Sequence, residues 1–272
     1  MRTDGSGVQR LTLDLSFDSW WARISPDRRR ILFYRTPVGA PGQDYSQTSL
    51  WVMNADGSDQ RLLRPLRTDG WELQGHADWS PDGRRIVMFG GPKRNTHIFI
   101  TDDEGQAPQQ ITKRPGMNLD PSWSPDGQTI AFVGCAGSIC FEKDYEVFTV
   151  SADGGDAKQL TSNSIRDHDP YFSPDGQRIA WIAETEPNAY KPGVGAWNIF
   201  VMNQDGANPR NVTNDREINS VPRWSADGRT FYFHRYEPLG KARWGVYRMG
   251  VDGSGLVEIS DSSLKNSEYP SL

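Results

Sequence analysis

Histidine is scarce in this chain: His76, His97, His168 and His234 are its four copies among 272 residues. His168 lies between Asp167 and Asp169, and His76 occupies a place that Asp120 and Asp169 take in related segments. Carboxylates with a few imidazoles suit Ca²⁺ or Mn²⁺-like ions. His76, Asp120, Asp167, His168 and Asp169 are therefore the candidate metal ligands. A second reading of the same acids is that they cap turns and bind water. No Ser/His/Asp arrangement can be placed, because no serine stands out as a nucleophile. Cys135 and Cys140 are too widely spaced for a zinc knuckle and lack a second pair. They are either reduced thiols or one loop-closing disulfide, the latter implying an oxidising compartment.

What positions these residues is a repeat. Five segments share one turn: ISPDRRRILF (24–33), WSPDGRRIVMF (79–89), WSPDGQTIAFV (123–133), FSPDGQRIAWI (172–182) and WSADGRTFYF (224–233). Their aspartates, Asp27, Asp82, Asp126, Asp175 and Asp227, are 55, 44, 49 and 52 residues apart. A second turn follows each: MNADGS, TDDEGQ, SADGGD, MNQDGA and MGVDGS, with MRTDGS opening the chain. Proline presets φ, aspartate bonds back to nearby backbone, and glycine supplies positive φ. The regular recurrence of these aspartates assigns them to turn-locking. The runs between turns are rich in Ile, Val, Phe, Tyr and Trp, which suit half-buried strands. Each unit is thus four short antiparallel strands, termed a to d.

Four strands every 45–55 residues predict a β-propeller blade. The pattern xPxWSPDGxxIAF…IFVMNxDGxxxxxLT resembles the PD40, or TolB-like, WD40-type repeat of bacterial propellers, and the resemblance covers essentially the whole chain. It implies an all-β propeller, here one domain over 1–272, and says little about activity. Unlike TolB, the chain shows no N-terminal α/β domain. Unlike prolyl-oligopeptidase-type enzymes, it shows no hydrolase domain and no G-x-S-x-G elbow. Five units are complete. A sixth is split, with a strand d near 7–12 and the opening of a strand a at 267–272. The alternative is a closed five-bladed ring with two tails.

Aligned on the repeat, the residues before the proline position are Trp21, His76, Asp120, Asp169, Val221 and Tyr269. Two positions earlier stand Ser19, Gln74, Asn118, Asp167, Asn219 and Ser267, polar in every copy. Both sets are expected at one end of the central channel. The SPDG and ADGS turns share one face, whereas the b–c and d–a loops vary and share the other, the expected binding face. Trp71, Tyr190, Trp197, Arg235, Tyr236, Arg243 and Trp244 are its candidate ligand-binding residues, with Tyr45, Tyr145 and Lys241 nearby. Each has the alternative role of capping a blade end.

Lys and Arg total 30 against 35 Asp and Glu, which argues against nucleic acid as a partner. No apolar run is long enough to span a bilayer. Two functions follow. One is a non-catalytic module, periplasmic or extracellular, that binds a protein, peptide or glycan through the loop face, with self-association through the incomplete blade. The other is a metal-dependent carbohydrate-active enzyme using the channel. Oligogalacturonate lyases, which resemble this fold, hold a metal there through His and Gln, a set without a residue-by-residue match here.

Overall fold

The computed structural model describes residues 7, 9–40, 44–135, 144–191, 194–237 and 243–260, and side chains outside 187–194. Apart from a short 3₁₀ turn at Thr68–Gly70, its regular elements are strands. They form five four-stranded antiparallel meanders among the described residues. The first is β1 (Phe17–Ile24), β2 (Arg30–Pro37), β3 (Ser49–Asn54) and β4 (Arg61–Arg64). The second is β5 (Leu73–Trp79), β6 (Arg85–Gly91), β7 (His97–Asp102) and β8 (Gln109–Gln110). The third is β9 (Asn118–Trp123), β10 (Thr129–Cys135), β11 (Tyr145–Ser151) and β12 (Lys158–Gln159). The fourth is β13 (Asp167–Phe172), β14 (Arg178–Lys191), β15 (Val194–Asn203) and β16 (Arg210–Asn211). The fifth is β17 (Ile218–Trp224), β18 (Thr230–Tyr236), β19 (Trp244–Gly250) and β20 (Val257–Glu258). Strands β1, β5, β9, β13 and β17 touch in that order around the channel.

The SPDG turns close as expected. Ser25, Ser80, Ser124, Ser173 and Ser225 donate their hydroxyls to Asp27, Asp82, Asp126, Asp175 and Asp227 at 2.5–2.6 Å. Each aspartate also accepts the backbone N–H two residues on. The serine hydroxyl bond, then that N–H, holds each carboxyl below its ordinary value of 3.8.

Blades interlock through strand a. Trp79 and Trp123 are buried, and guanidiniums from the preceding blade cover them: Arg30 lies 4.6 Å over Trp79 and Arg85 4.7 Å over Trp123. Arg178 covers Trp224 in the same way at 4.8 Å. The indole N–H of Trp79 reaches the Arg23 carbonyl, and that of Trp224 the Tyr171 carbonyl. Phe172 and Trp224 are half-buried rather than buried, and Ile24, the equivalent in the first blade, is 48% exposed. At that position no arginine from a preceding strand b lies among the described residues.

One loop expectation changes: within 183–197, expected as a variable b–c loop, β14 continues to Lys191 and β15 starts at Val194, the two paired as an extended hairpin. Leu11 also has a definite place. Its carbonyl lies 3.2 Å from where a Cβ on Gly57 would fall, as those of Leu160 and Val212 do, at 2.9 and 2.8 Å, for Gly206 and Gly253. Leu11 thus occupies the outer-strand position of a blade preceding the first, which supports the split-blade expectation; residues 261–272, including the predicted sixth strand a, lie outside the described residues.

Two outcomes check this architecture. Trp79→Ala should destabilise by about 3–5 kcal/mol in denaturant melts, as large-to-small core changes do, whereas Ile24→Ala should be close to neutral. Because the turn aspartates titrate below 3.8 when folded, their stabilisation is present above that value and lost as pH falls through the folded value. Thermal melts from pH 6 to pH 3 should therefore fall more steeply for the native chain than for a D126N/D175N variant, which begins lower.

Candidate functional site at the channel mouth

The five inner strands share a defect that builds the site. Each shifts register with its strand b at one place: after Trp20, Gly75, Leu119, His168 and Ser220. At that bulge Trp21, His76, Asp120, Asp169 and Val221 all take φ between 51° and 54°. Left-handed backbone is disfavoured for side chains with a Cβ, most of all for bulky or β-branched ones. Such strain costs about 1–3 kcal/mol per residue and is held by surrounding structure. These are the residues that the repeat alignment singled out, and the bulge explains why they act together.

Asp120 is the centre. Its Oδ2 accepts a 2.6 Å bond from His168 Nδ1, and its Oδ1 lies 2.5 Å from His76 Nδ1. The latter pair lacks hydrogen-bonding geometry, so His76 Nδ1 has no hydrogen-bond partner among the described residues. The same is true of Asp169 Oδ1, 3.8 Å from His76 Nδ1. His76 Nε2 pairs with the Tyr45 hydroxyl at 2.6 Å, and its ring stacks on Trp21 at 3.8 Å. Ligand atoms of His76, Asp120 and Asp169 lie within 4.8 Å of one another, and all three residues are buried. Burial opposes ionisation of Asp120, but the two imidazoles outweigh it and hold the carboxyl well below its ordinary range. Asp169 is pushed up by burial and then by the Asp120 charge. For His168, burial works against the proton, yet Asp120 prevails and raises the imidazole above 6.5.

Asp167 does not join this cluster. It is fully buried, accepting from Thr161 at 2.7 Å and from the Trp181 indole at 3.0 Å. Burial first, with the nearby Glu146 carboxyl adding to it, pushes Asp167 up to about 7. Its repeat partners do similar work: Gln74 donates to the Thr48 carbonyl, Asn118 to that of Thr96 and Asn219 to that of Trp197. The position two before the bulge braces loops instead of lining the channel.

The loop-face candidates divide. Trp71 is buried, packed on Phe99 at 4.3 Å and covered by Arg64 at 4.5 Å, so it caps a blade. Arg235 is buried and bonded to Asp215, Asn219 and Glu237. Arg243 pairs with Glu258. Tyr236 and Trp244 pack on each other at 5.5 Å on the fifth blade. The Tyr190 side chain and Lys241 lie outside the described residues. Among the described side chains of the seven, Trp197 meets the channel cluster, 5.6 Å from His168, with Arg166 over its ring at 4.8 Å. Tyr145 stands edge-on to His168 at 5.5 Å. Trp21, Tyr45, His76, Arg166, His168, Asp169 and Trp197 help line a cleft of about 260 Å³ at the channel mouth. Hollows of about 530 and 540 Å³ lie elsewhere, at the SPDG end, but turn and strand-edge residues line them without any comparable convergence of buried polar atoms. Sequence reasoning missed Trp21 and Arg166 as site residues. Trp21 does stand at the aligned channel position in the repeat.

A family model for the TolB beta propeller domain (PD40) matches residues 40–191. The chain belongs to this family. A TolB homolog from Chlorobium luteolum is 30% identical over 132 residues, 48% of this chain and 27% of that protein. The match thus spans about a quarter of that curated relative. Among solved structures, a putative TolB from Agrobacterium tumefaciens superposes with a TM-score of 0.69 at 18% identity, covering 89% of this chain and 80% of that one. An oligogalacturonate lyase in complex with manganese gives 0.57 at 14% identity, covering 86% and 63%. Identities this low establish the shared TolB-type propeller fold and nothing further.

The Asp120–imidazole pairing has a spectroscopic consequence. In Asp120→Asn, the His168 ring should titrate at lower pH than in the native protein, read by NMR of the imidazole protons, since the charge that favours its proton is gone.

Proposed function

We propose that this chain is a non-catalytic binding module that takes a protein or peptide partner at the channel mouth on its variable-loop face, with a glycan as the alternative ligand. The observation that carries the reading is the convergence of Trp21, Tyr45, Tyr145 and Trp197 with Arg166 and His168 around one cleft. Aromatic planes anchor apolar side chains or sugar rings, and cations add directional contacts at low entropic cost. Periplasmic or extracellular placement fits the same reading, because Cys135 is disulfide-bonded; Cys140 lies outside the described residues. Among the described residues no helix is long and apolar enough to cross a membrane. Self-association through the sixth-blade position belongs to this proposal, supported by Leu11 standing where an outer strand belongs.

A second reading is supported by His76 Nδ1 and the Asp169 Oδ1 beside it, the latter without a hydrogen-bond partner among the described residues. With Asp120 they fit a divalent cation such as Ca²⁺ or Mn²⁺, and the manganese-bound lyase shares the fold. The ion would neutralise the converging carboxylates and polarise a bound uronate, while His168, oriented by Asp120, would offer a proton acceptor.

A peptide-display library and a glycan array, each screened against native protein and a W21A/W197A variant, separate these readings. The first expects ligands whose affinity drops at least about tenfold in the variant, as loss of two hot-spot aromatics does, with melting otherwise similar. Equal binding by both proteins removes the channel mouth as the site. The second expects stoichiometric Ca or Mn after dialysis, lost in Asp169→Asn, and unsaturated products from uronate oligosaccharides. Stoichiometric metal without product would leave a metal-bearing binding module.

A further inference from the structure

Below the bulge the channel has a second ring. Two residues beyond Trp21, His76, Asp120, Asp169 and Val221 stand Arg23, Asp78, Ser122, Tyr171 and Arg223. Arg23 reaches across from the first blade and donates through Nη2 to the Tyr171 hydroxyl at 2.9 Å. Arg223 comes from the fifth blade and lies 3.8 Å over the same tyrosine ring. Two guanidiniums therefore converge on one side chain. Each keeps a buried N–H, Arg23 Nε and Arg223 Nη2, that has no acceptor among the described residues.

The neighbours do not supply one. The Asp78 carboxylate is 4.0 Å from Arg23 Nε, beyond hydrogen-bond reach. The Ser122 hydroxyl donates to the Pro170 carbonyl. Asp120 is engaged with the imidazoles above. Arginine has no acceptor atom and keeps its charge, so it cannot relieve an orphaned N–H by changing protonation. The Tyr171 oxygen already accepts from Arg23, which leaves its own proton to donate. The ring thus offers three donors, two of them cationic.

We propose that this second ring is an oxyanion site, binding a carboxylate or phosphate group between Arg23 and Arg223 with Tyr171 as the third donor. Planar guanidinium forks match the oxygens of either group. Entry is through the ring itself, where Arg223 and Asp78 remain partly exposed. Asp78, with Asp169 in the ring above, offsets part of the charge of the two arginines, so the ring suits a singly charged oxyanion better than a dianion. The site does not depend on what the aromatic mouth binds, and it needs no metal.

The test uses the intact protein and small probes. Sodium acetate, sodium phosphate and sodium chloride are titrated at matched ionic strength, with thermal midpoint and calorimetric heat as readouts. The expected result is saturable stabilisation by acetate or phosphate and none by chloride. Acetate acting alone identifies a carboxylate ligand; phosphate acting alone identifies a phosphate group. Arg223→Gln should weaken the effective probe at least about tenfold, as loss of a charged hydrogen bond does. Tyr171→Phe, which keeps the ring under Arg223, should weaken it several-fold and decides the matter if Arg223→Gln does not fold. Equal, unsaturable shifts from all three salts, or undiminished binding in the variants, would overturn the proposal.

Discussion

A four-stranded blade has two apolar faces and cannot bury either by itself, so every blade here depends on its neighbour. The contact that fixes the relation is an aromatic ring at the end of strand a, inserted under an arginine from the start of the preceding strand b. Arg30–Trp79, Arg85–Trp123 and Arg178–Trp224 repeat it at nearly the same distance. The arginine buries its stem, keeps its charge towards solvent and adds a cation–π contact. Where Thr129 replaces the arginine, Phe172 replaces the tryptophan.

With the blades held in register, every inner strand reaches the channel at the same height, and the bulge then matters. A regular strand would alternate its side chains between the two neighbouring blades. The positive-φ residue breaks that alternation and turns one side chain per blade towards the axis. Trp21, His76, Asp120 and Asp169 meet only because four separate blades make the same backbone excursion. The strain is shared among bulges that the interlock supports, which makes the channel mouth a rigid place for polar groups that would otherwise be costly to bury.

Two ideas that were separate in the sequence, a metal-like ring in the channel and an aromatic loop face, become one place in the structure. Trp197 lies within strand c of the fourth blade, Ile218 begins strand a of the fifth, and the two pair in parallel. That pairing brings a strand tryptophan to the channel, beside His168. Trp71 and Arg235, equally promising by residue type, are consumed by packing and by carboxylate partners instead.

The repeat alone determined the strand order, the SPDG turns and the set of residues at the bulge, because these depend on local chemistry recurring at a fixed interval. Ser–Asp–Gly turns close through bonds spanning no more than five residues, so their sequence is sufficient to specify them. What tertiary structure decided was which side each polar residue faced. Asp167 and Asp169 are two positions apart and look alike, yet one braces the Thr161 loop and the other enters the channel, since a bulge between them breaks the alternation. The encounter of Arg23 with Tyr171 joins residues 148 positions apart, and nothing local encodes it. Such contacts exist only once the blades have closed around a common axis.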